Sequence, residues 1–311
     1  TDGGVGVAQL YRSIRAVSIA KSIKRLVAES KLCGKEAAVA KALGVPPVKL
    51  VGLPRLPELI RKNRQLVELL GQIKSASGKT LEQGVDGFVK RFKDLYESCP
   101  KESIKSLDEL LDDFEYLVNE HLPDLAQRHK QDQLAAFINE MMQTTDKFKA
   151  GATTLEVIRH PEKYVSPDIV KLSNIELEGR ILSTAAHRFD VKWMAIVENY
   201  EQPINVYVDT KNYTSVSDMF RDLGQFKAYL GEISSFEQLR IIQQARPGMS
   251  EEKVIKQLER MIAKDARSVF DVNRELWYNM GLKEWVELAE YCSTKQLSQH
   301  PAFRRMIKLT K

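Results

Sequence analysis

The fold is decided where the chain reads FDVKWMAIV at residues 189–197 and INVYVD at residues 204–209. Apolar and polar side chains alternate in both segments, and a two-residue period is typical of a half-buried β-strand. Gln202 and Pro203 lie in the gap between the segments and favour a turn there. This stretch therefore predicts one small β-hairpin, at about residues 189–209.

Helical periodicity dominates the sequence on the N-terminal side of the hairpin. Apolar residues recur every three or four positions along residues 56–70, 81–95 and 104–118, which places them on one face of an amphipathic helix. Ser106 and Glu109 have the spacing of a capping box at the start of the third helix. A fourth helix is expected to end near Gly151, followed by an irregular connector.

Capping patterns predict further helices on both sides of the hairpin. A serine followed by a glutamate three residues later occurs at 173 and 176 and again at 234 and 237, which predicts helices over 173–187 and 234–242. Another helix is expected to begin after Ser250. The predicted fold class is therefore mainly α, with helical bundle-like lobes and one small β-hairpin.

Proline-containing breaks and loss of periodicity divide the sequence into three parts. Residues 1–52 are expected to form a basic N-terminal arm with helices, and residues 53–151 a helical lobe. Residues 152–311 are expected to form a mixed lobe that combines helices, the hairpin and a basic C-terminal tail.

Charge is sorted by position, although the formal net charge is only +5. The first fifty residues hold nine Lys or Arg against three acids, residues 101–125 hold two against eight, and residues 295–311 hold five against none. Such segregation favours contact with a polyanion, or between oppositely charged parts of the protein.

Two sets of charged residues are candidates for these contacts. The cationic set, expected to meet nucleic acid or an acidic partner, comprises Arg12, Arg15, Lys21, Lys24, Arg25, Arg61, Lys62, Arg64, Arg304, Arg305 and Lys308. The acidic set forms an expected partner surface on one helix and comprises Asp108, Glu109, Asp112, Asp113 and Glu115. Like charges at this spacing repel one another unless a cation lies nearby.

A membrane partner is not expected. Apolar and basic residues of the N-terminal segment exchange helix faces near Ser18, whereas a helix lying on a membrane keeps one apolar face throughout. The three cysteines are far apart and odd in number, which favours a reducing compartment. The expected location is the cytoplasm or the inside of an assembled particle.

An enzymatic alternative rests on Pro167-Asp168 followed by Asp190-Val191-Lys192. This resembles the loose PD…(D/E)xK pattern of the restriction-endonuclease-like family, which implies two carboxylates for Mg²⁺ and a lysine that orients water or steadies the phosphate. The nuclease hypothesis requires Asp168, Asp190 and Lys192 to converge on one metal site.

The main hypothesis is a non-enzymatic structural or assembly protein, similar to a viral or particle component. It would self-associate, contact RNA or DNA through its basic terminal segments, or do both. No catalytic residue, metal site or cofactor is expected on this hypothesis. The alternatives are a helical protein–protein interaction adaptor and, second, a metal-dependent nuclease.

Overall fold

The computed structural model describes residues 55–63, 66–67, 70, 84–125, 128–181, 184–198, 202–221 and 223–310. These residues divide into two compact units. Unit 1 comprises the described residues up to Glu120 together with Ile138–Ala152, and unit 2 comprises His121–Phe137 together with the described residues from Thr153 onward.

The elements are numbered here in chain order within the described residues. The first group is α1 (Arg55–Lys62), α2 (Gly84–Ser98), α3 (Leu107–Tyr116), α4 (Leu122–Leu125), α5 (Arg128–Met141), α6 (Thr145–Arg159), β1 (Ile169–Ile181), β2 (Thr184–Val197) and β3 (Ile204–Lys211). The second group is α7 (Val216–Met219), α8 (Gly224–Leu230), β4 (Leu239–Gln244), α9 (Glu251–Lys264), α10 (Ala266–Val272), α11 (Arg274–Asn279), α12 (Trp285–Ser293), α13 (Pro301–Arg305) and β5 (Ile307–Thr310).

Phenylalanine side chains form the centre of unit 1. Phe92 packs edge-on against Phe148 with ring centroids 4.9 Å apart, and Phe88 stacks on Phe114 at 6.2 Å. All four side chains are buried, and such ring pairs contribute stability beyond the burial of their area. The predicted capping box of Ser106 is present at the start of α3.

A five-stranded mixed sheet, with the order β1-β2-β3-β4-β5, organises unit 2. β1 and β2 are antiparallel, as are β2 and β3, whereas β3, β4 and β5 run parallel to one another. The prediction of a single small hairpin is therefore wrong, whereas most of the described residues are helical, as the mainly α prediction requires. The hairpin strands exist, as β2 and β3, but they form the centre of a larger sheet.

The helix predicted over 173–187 is wrong, because the described residues of this segment lie in β1 and β2. β1 contains register shifts against β2, and Asn174 and Glu178 have positive φ angles of 53° and 47°. These irregularities interrupt the two-residue alternation that marks a strand. Only Ile175 and Leu177 keep it, as buried residues separated by a half-buried one.

The helix predicted over 234–242 is also wrong. A capping box at Ser235 opens only a short 3₁₀ turn, Phe236–Gln238, and the chain then continues as β4. Every residue of β4 is buried, and a strand that is covered on both faces loses the alternating pattern. The basic tail predicted at the C-terminus likewise contains β5, which pairs with β4.

The predicted end of a helix near Gly151 and the connector after it also need correction. α6 continues through this position to Arg159. Irregular structure is then confined to a shorter segment, which includes the 3₁₀ turn Pro161–Lys163 and ends where β1 begins at Ile169. Among the described residues, none of the helices combines the length and the apolar character needed to cross a membrane.

The main apolar core of unit 2 is centred on the indole of Trp277. Its ring lies edge-on to Phe236 with centroids 5.6 Å apart, and Phe236 packs in turn against Phe303 at 5.2 Å. The indole N–H donates to the carbonyl of Val269 at 3.3 Å. Trp277 is completely buried, so truncating it removes both apolar contacts and a satisfied polar group.

Replacing this indole should therefore destabilise the protein far more than replacing an exposed one. We expect Trp277→Ala to lower the free energy of unfolding by about 3–5 kcal/mol, because the substitution leaves a large cavity. Trp285→Ala is the matched control, since 43% of Trp285 is exposed and surface substitutions change stability by about 0.5 kcal/mol or less. Urea denaturation followed by circular dichroism measures both, and equal losses would contradict the assignment of the core.

Candidate functional site

Two aspartates of unit 2 lie close together where the pairing of β2 with β3 ends. The last antiparallel pair is Val191 with Val208, and Asp190 and Asp209 follow it directly on the two strands, close enough for the charge of Asp190 to act on Asp209. Like charges on neighbouring positions of adjacent strands destabilise a sheet. A cation is therefore needed near the two carboxylates.

Lys211 supplies one cation from the end of β3. Its Nζ lies 2.8 Å from Oδ2 of Asp209 and donates to Oε1 of Gln225 at 2.7 Å. Burial lowers the pKa of Lys211, but the charges of Asp209 and Asp190 outweigh burial and raise the pKa above its ordinary value. The ammonium group therefore stays protonated at neutral pH.

The carboxyl group of Asp209 is buried, with only 3% of the residue exposed. Burial raises its pKa to about 6 in spite of the opposing charge of Lys211, and the neighbouring Asp190 acts in the same direction as burial. Because the pKa of this carboxyl group is raised, Lys211 compensates the charge of Asp209 only in part.

Asp190 is oriented by the backbone and side chain of Thr210. Its Oδ2 accepts a hydrogen bond from the amide N–H of Thr210 at 2.5 Å and another from Oγ1 of Thr210 at 2.6 Å. Oγ1 of Thr210 also lies 3.0 Å from Oγ1 of Thr154 on α6. These bonds fix one carboxylate oxygen, while Oδ1 has no hydrogen-bond partner within the part of the chain that the structure describes.

Helix α8 supports the other side of the cluster through Gln225 and Tyr229, which lie one turn apart. Gln225 holds the ammonium of Lys211, and the hydroxyl of Tyr229 donates to the carbonyl of Arg188 at 2.9 Å. The carboxylate of Asp209 is an alternative acceptor for the same hydroxyl proton. Burial, followed by the charges of Asp209 and Asp190, raises the pKa of Tyr229 well above its ordinary value, so the phenol stays neutral.

The arrangement fits a hard divalent cation such as Mg²⁺. Within the described residues no group of three or more His, Cys, Asp or Glu side chains could hold a metal, which argues against a fully protein-ligated site there. Mg²⁺ needs fewer protein ligands, because it is usually held by one or two carboxylates and keeps several waters. The Asp190–Asp209 pair supplies that number and carries an excess of negative charge over Lys211.

The three residues that the sequence singles out for a nuclease do not converge. Asp168 accepts a bond from Ser166 and lies before β1, near the far end of β2, where Ile169 pairs with Val197. Lys192 extends towards β1 and pairs with Glu176 at 3.0 Å. Of the predicted three, Asp190 alone belongs to the cluster described here.

The predicted acidic surface is paired inside unit 1. Arg55 lies 2.6 Å from Asp112 and 2.5 Å from Glu115, and Lys105 lies 2.5 Å from the buried carboxyl of Asp113. In the same helix, Glu109 forms the capping box with Ser106, and Asp108 is exposed. Of the two cations that offset this helix, Lys105 is a near neighbour in the sequence, whereas Arg55 belongs to α1.

The predicted cationic residues fall into three groups. Arg61 pairs with Asp86 at 2.9 Å and Lys62 lies 3.4 Å from Glu58, all in unit 1. A second group lines a basic cleft of unit 2 and comprises Arg304, Arg305 and Lys308. The remaining residues lie outside the described part of the chain and are Arg12, Arg15, Lys21, Lys24, Arg25 and Arg64.

The sequence contains a signal for Asp209 and Lys211 that its analysis missed. Asp209-Thr210-Lys211 has the same D-x-K spacing as Asp190-Val191-Lys192 and ends the second predicted strand. Recognising that it lies beside Asp190 requires the register between β2 and β3. Gln225 and Tyr229 have no comparable signal, since they read as parts of an ordinary amphipathic helix.

Comparisons of this chain with protein-family models, with curated proteins and with solved structures find no match.

Proposed function

We propose that this protein is a metal-dependent phosphodiesterase that hydrolyses nucleic acid at the Asp190–Asp209–Lys211 cluster. The observation that carries the proposal is the proximity of two carboxylates on adjacent strands, with a protonated lysine two residues after one of them. Adjacent strands are the setting in which the restriction-endonuclease-like family presents its PD…(D/E)xK residues. The proposal thus keeps the nuclease hypothesis and replaces Asp168 and Lys192 by Asp209 and Lys211.

In this function Asp190 and Asp209 would hold Mg²⁺. A bound Mg²⁺ supplies Lewis-acid polarisation of a phosphoryl oxygen and lowers the pKa of a bound water. The hydrogen bonds from Thr210 keep Asp190 in position before the ion binds. Asp209 must lose its proton to become a ligand, and a pKa of about 6 permits this at neutral pH.

Lys211 would act as a fixed positive charge and not as a base, since its raised pKa keeps it protonated. Its hydrogen bond to Gln225 restricts the side chain to the side of the cluster that α8 covers. A preorganised cation there can orient the attacking water and stabilise negative charge that develops on the phosphoryl oxygens. The water oxygen bonds to phosphorus as one ester P–O bond breaks, and the released sugar oxygen takes up one proton of the water.

Non-enzymatic assembly through the terminal arms remains a separate prediction, since its N-terminal residues lie outside the described chain. A binding function and hydrolysis are compatible, because both need contacts with phosphate groups. The adaptor alternative would leave the two neighbouring aspartates without a role beyond structure.

The first test compares nuclease activity after substitutions in the cluster with activity after substitutions of Asp168 and Lys192, which the sequence pattern alone suggests. We expect purified protein to cleave a labelled single-stranded or double-stranded oligonucleotide in the presence of Mg²⁺ or Mn²⁺, and EDTA to stop cleavage. Asp209→Asn and Lys211→Gln should each lower the rate by about 100-fold or more, since they remove a metal ligand or an electrostatic stabiliser.

The matched controls are Asp168→Asn and Lys192→Gln, which make the same chemical changes outside the cluster. Both should retain cleavage within about threefold, because Asp168 is exposed and Lys192 pairs with Glu176 outside the cluster. Absence of cleavage on DNA and RNA substrates by wild-type protein, or equal losses in cluster and control variants, would refute the proposal. Thermal unfolding of each variant shows whether a lost rate reflects a lost fold.

The second test uses the proton on Asp209. Below a pH of about 6 its carboxyl is neutral in the folded protein and binds divalent cations poorly, because protons and metal compete for the same oxygens. Stabilisation by saturating Mn²⁺ should therefore be small at pH 5 and increase through pH 6 to pH 7. Thermal melts with and without Mn²⁺ at these three pH values measure it.

Asp209→Asn provides the reference for this pH dependence. The amide has no proton to lose in this range, so the Mn²⁺-induced shift should be small and the same at all three pH values. A shift that increases with pH equally in wild type and variant would assign the titration to another group.

A further inference from the structure

A basic cleft of about 300 Å³ lies beside the edge strand β5 in unit 2. Its walls come from the segment 163–167 before β1, the start of β4, the start of α9, and α13 with β5. The residues that line the cleft include one carboxylate, Glu251, and five cationic residues, namely Lys163, Arg240, Arg304, Arg305 and Lys308. Such an excess of positive charge in a concave surface attracts anions.

Arg240 forms the floor of the cleft and is already bound by protein. The residue is only 1% exposed, and its guanidinium donates to the carbonyls of Tyr164 at 3.1 Å and Leu239 at 2.8 Å. It also lies 3.1 Å from Glu237. Arg240 therefore fixes the shape of the cleft and adds positive charge beneath it, while ligand contacts fall to the rim.

Glu237 neutralises part of this charge. It pairs with Arg305 as well as with Arg240, and although burial opposes its ionisation, the two arginines outweigh burial and lower its pKa. Glu237 therefore remains ionised and holds Arg305 against the wall. The charge left for a ligand is that of Lys163, Arg304 and Lys308.

These three rim cations are exposed and only loosely engaged. Lys308 lies 3.9 Å from Glu251 and Lys163 lies 3.7 Å from Glu156, and exposed pairs of this kind contribute little to stability. Arg304 donates to the carbonyl of Ser298 at 3.3 Å and has no ion-pair partner within 4 Å among the described residues. All three side chains can turn towards an anion at little cost.

We infer that this cleft binds backbone phosphates of a nucleic-acid strand, as a site separate from the Asp190–Asp209–Lys211 cluster. The choice of a nucleic-acid strand rests on the proposed function, whereas the charge of the cleft does not. Lysine and arginine side chains that neutralise phosphates release condensed counterions, and this release makes binding depend steeply on salt. The open rim suits a strand that passes over the cleft.

Binding can be measured without hydrolysis by fluorescence anisotropy of a labelled single-stranded oligonucleotide in EDTA, at several salt concentrations. The test variant is Arg304→Gln combined with Lys308→Gln. Each lost phosphate contact removes about 0.7 from the slope of log affinity against log salt, so the slope should fall by about 1.4. The affinity at low salt should fall about tenfold or more.

The matched control combines Lys253→Gln with Lys256→Gln. Both lysines are exposed on α9, which also contributes to the cleft, but neither lines it. This variant has the same change in net charge and should bind with the slope and affinity of wild type within experimental error. Equal losses in both variants would show a diffuse effect of net charge and overturn the assignment of a site.

Inorganic phosphate distinguishes a strand from a free phosphate ligand. If millimolar phosphate displaces the oligonucleotide far more effectively than an equal ionic strength of chloride, the cleft is a site for free phosphate and the inference fails. The two proposals also fail separately. If the cleft variant binds normally while Asp209→Asn is inactive, only the proposal for the cleft is refuted. If the cleft variant shows a reduced salt slope but the wild-type protein cleaves no substrate, only the nuclease proposal is refuted.

Discussion

The buried carboxylate of Asp209 is the constraint on which the central part of unit 2 depends. An ionised carboxyl group loses several kcal/mol of hydration when it is buried, and this loss must be offset by charges and hydrogen bonds. Lys211 lies within 2.8 Å for this purpose and is itself held by Gln225. The end of β3 and the start of α8 are thereby coupled through a single charge, and a change at one of these positions affects the others.

Arg240 is the second buried charge of the same sheet, and the protein compensates it differently. Backbone carbonyls take most of its donors, and Glu237 takes the rest of the charge. These hydrogen bonds occupy the donors of the guanidinium group and hold the start of β4 in place. Burial shifts the pKa of both groups towards the uncharged form, lowering that of Arg240 and raising that of Asp209 to about 6.

The sequence predicts strands well where one face of the sheet is polar and poorly where both are covered. β2 and β3 alternate clearly between apolar and polar residues, and the sequence predicts them. β4 is buried along its whole length, and its polar residues Arg240, Gln243 and Gln244 interrupt the apolar run that would indicate a buried strand. β1 was missed because positive φ angles at Asn174 and Glu178 interrupt its period. Local capping patterns gave correct starts for α3 and α9, where no strand pairing competes.

The candidate site was predictable only in part, for a reason that lies in pairing between strands. Spacing along one strand links Asp190 with Lys192, which share a face of β2, but Lys192 turns to Glu176 on β1. The partners of Asp190 come from β3, and their identity depends on the register between the two strands, which spacing along one strand does not give. Asp209 and Lys211 were visible as residues, but their proximity to Asp190 was not.

The charge balance of the cluster bears on the metal site proposed for it. A buried pair that only stabilises the fold is balanced, and it can often be replaced by apolar residues without loss. Here two carboxylates share the neighbourhood of one ammonium, and each raises the pKa of the phenol of Tyr229. The folded protein therefore keeps an unbalanced negative charge between β2 and β3, which opposes folding unless a proton or a cation is bound. A proton fills this role only below a pH of about 6, and at neutral pH the proposed divalent cation would relieve the repulsion.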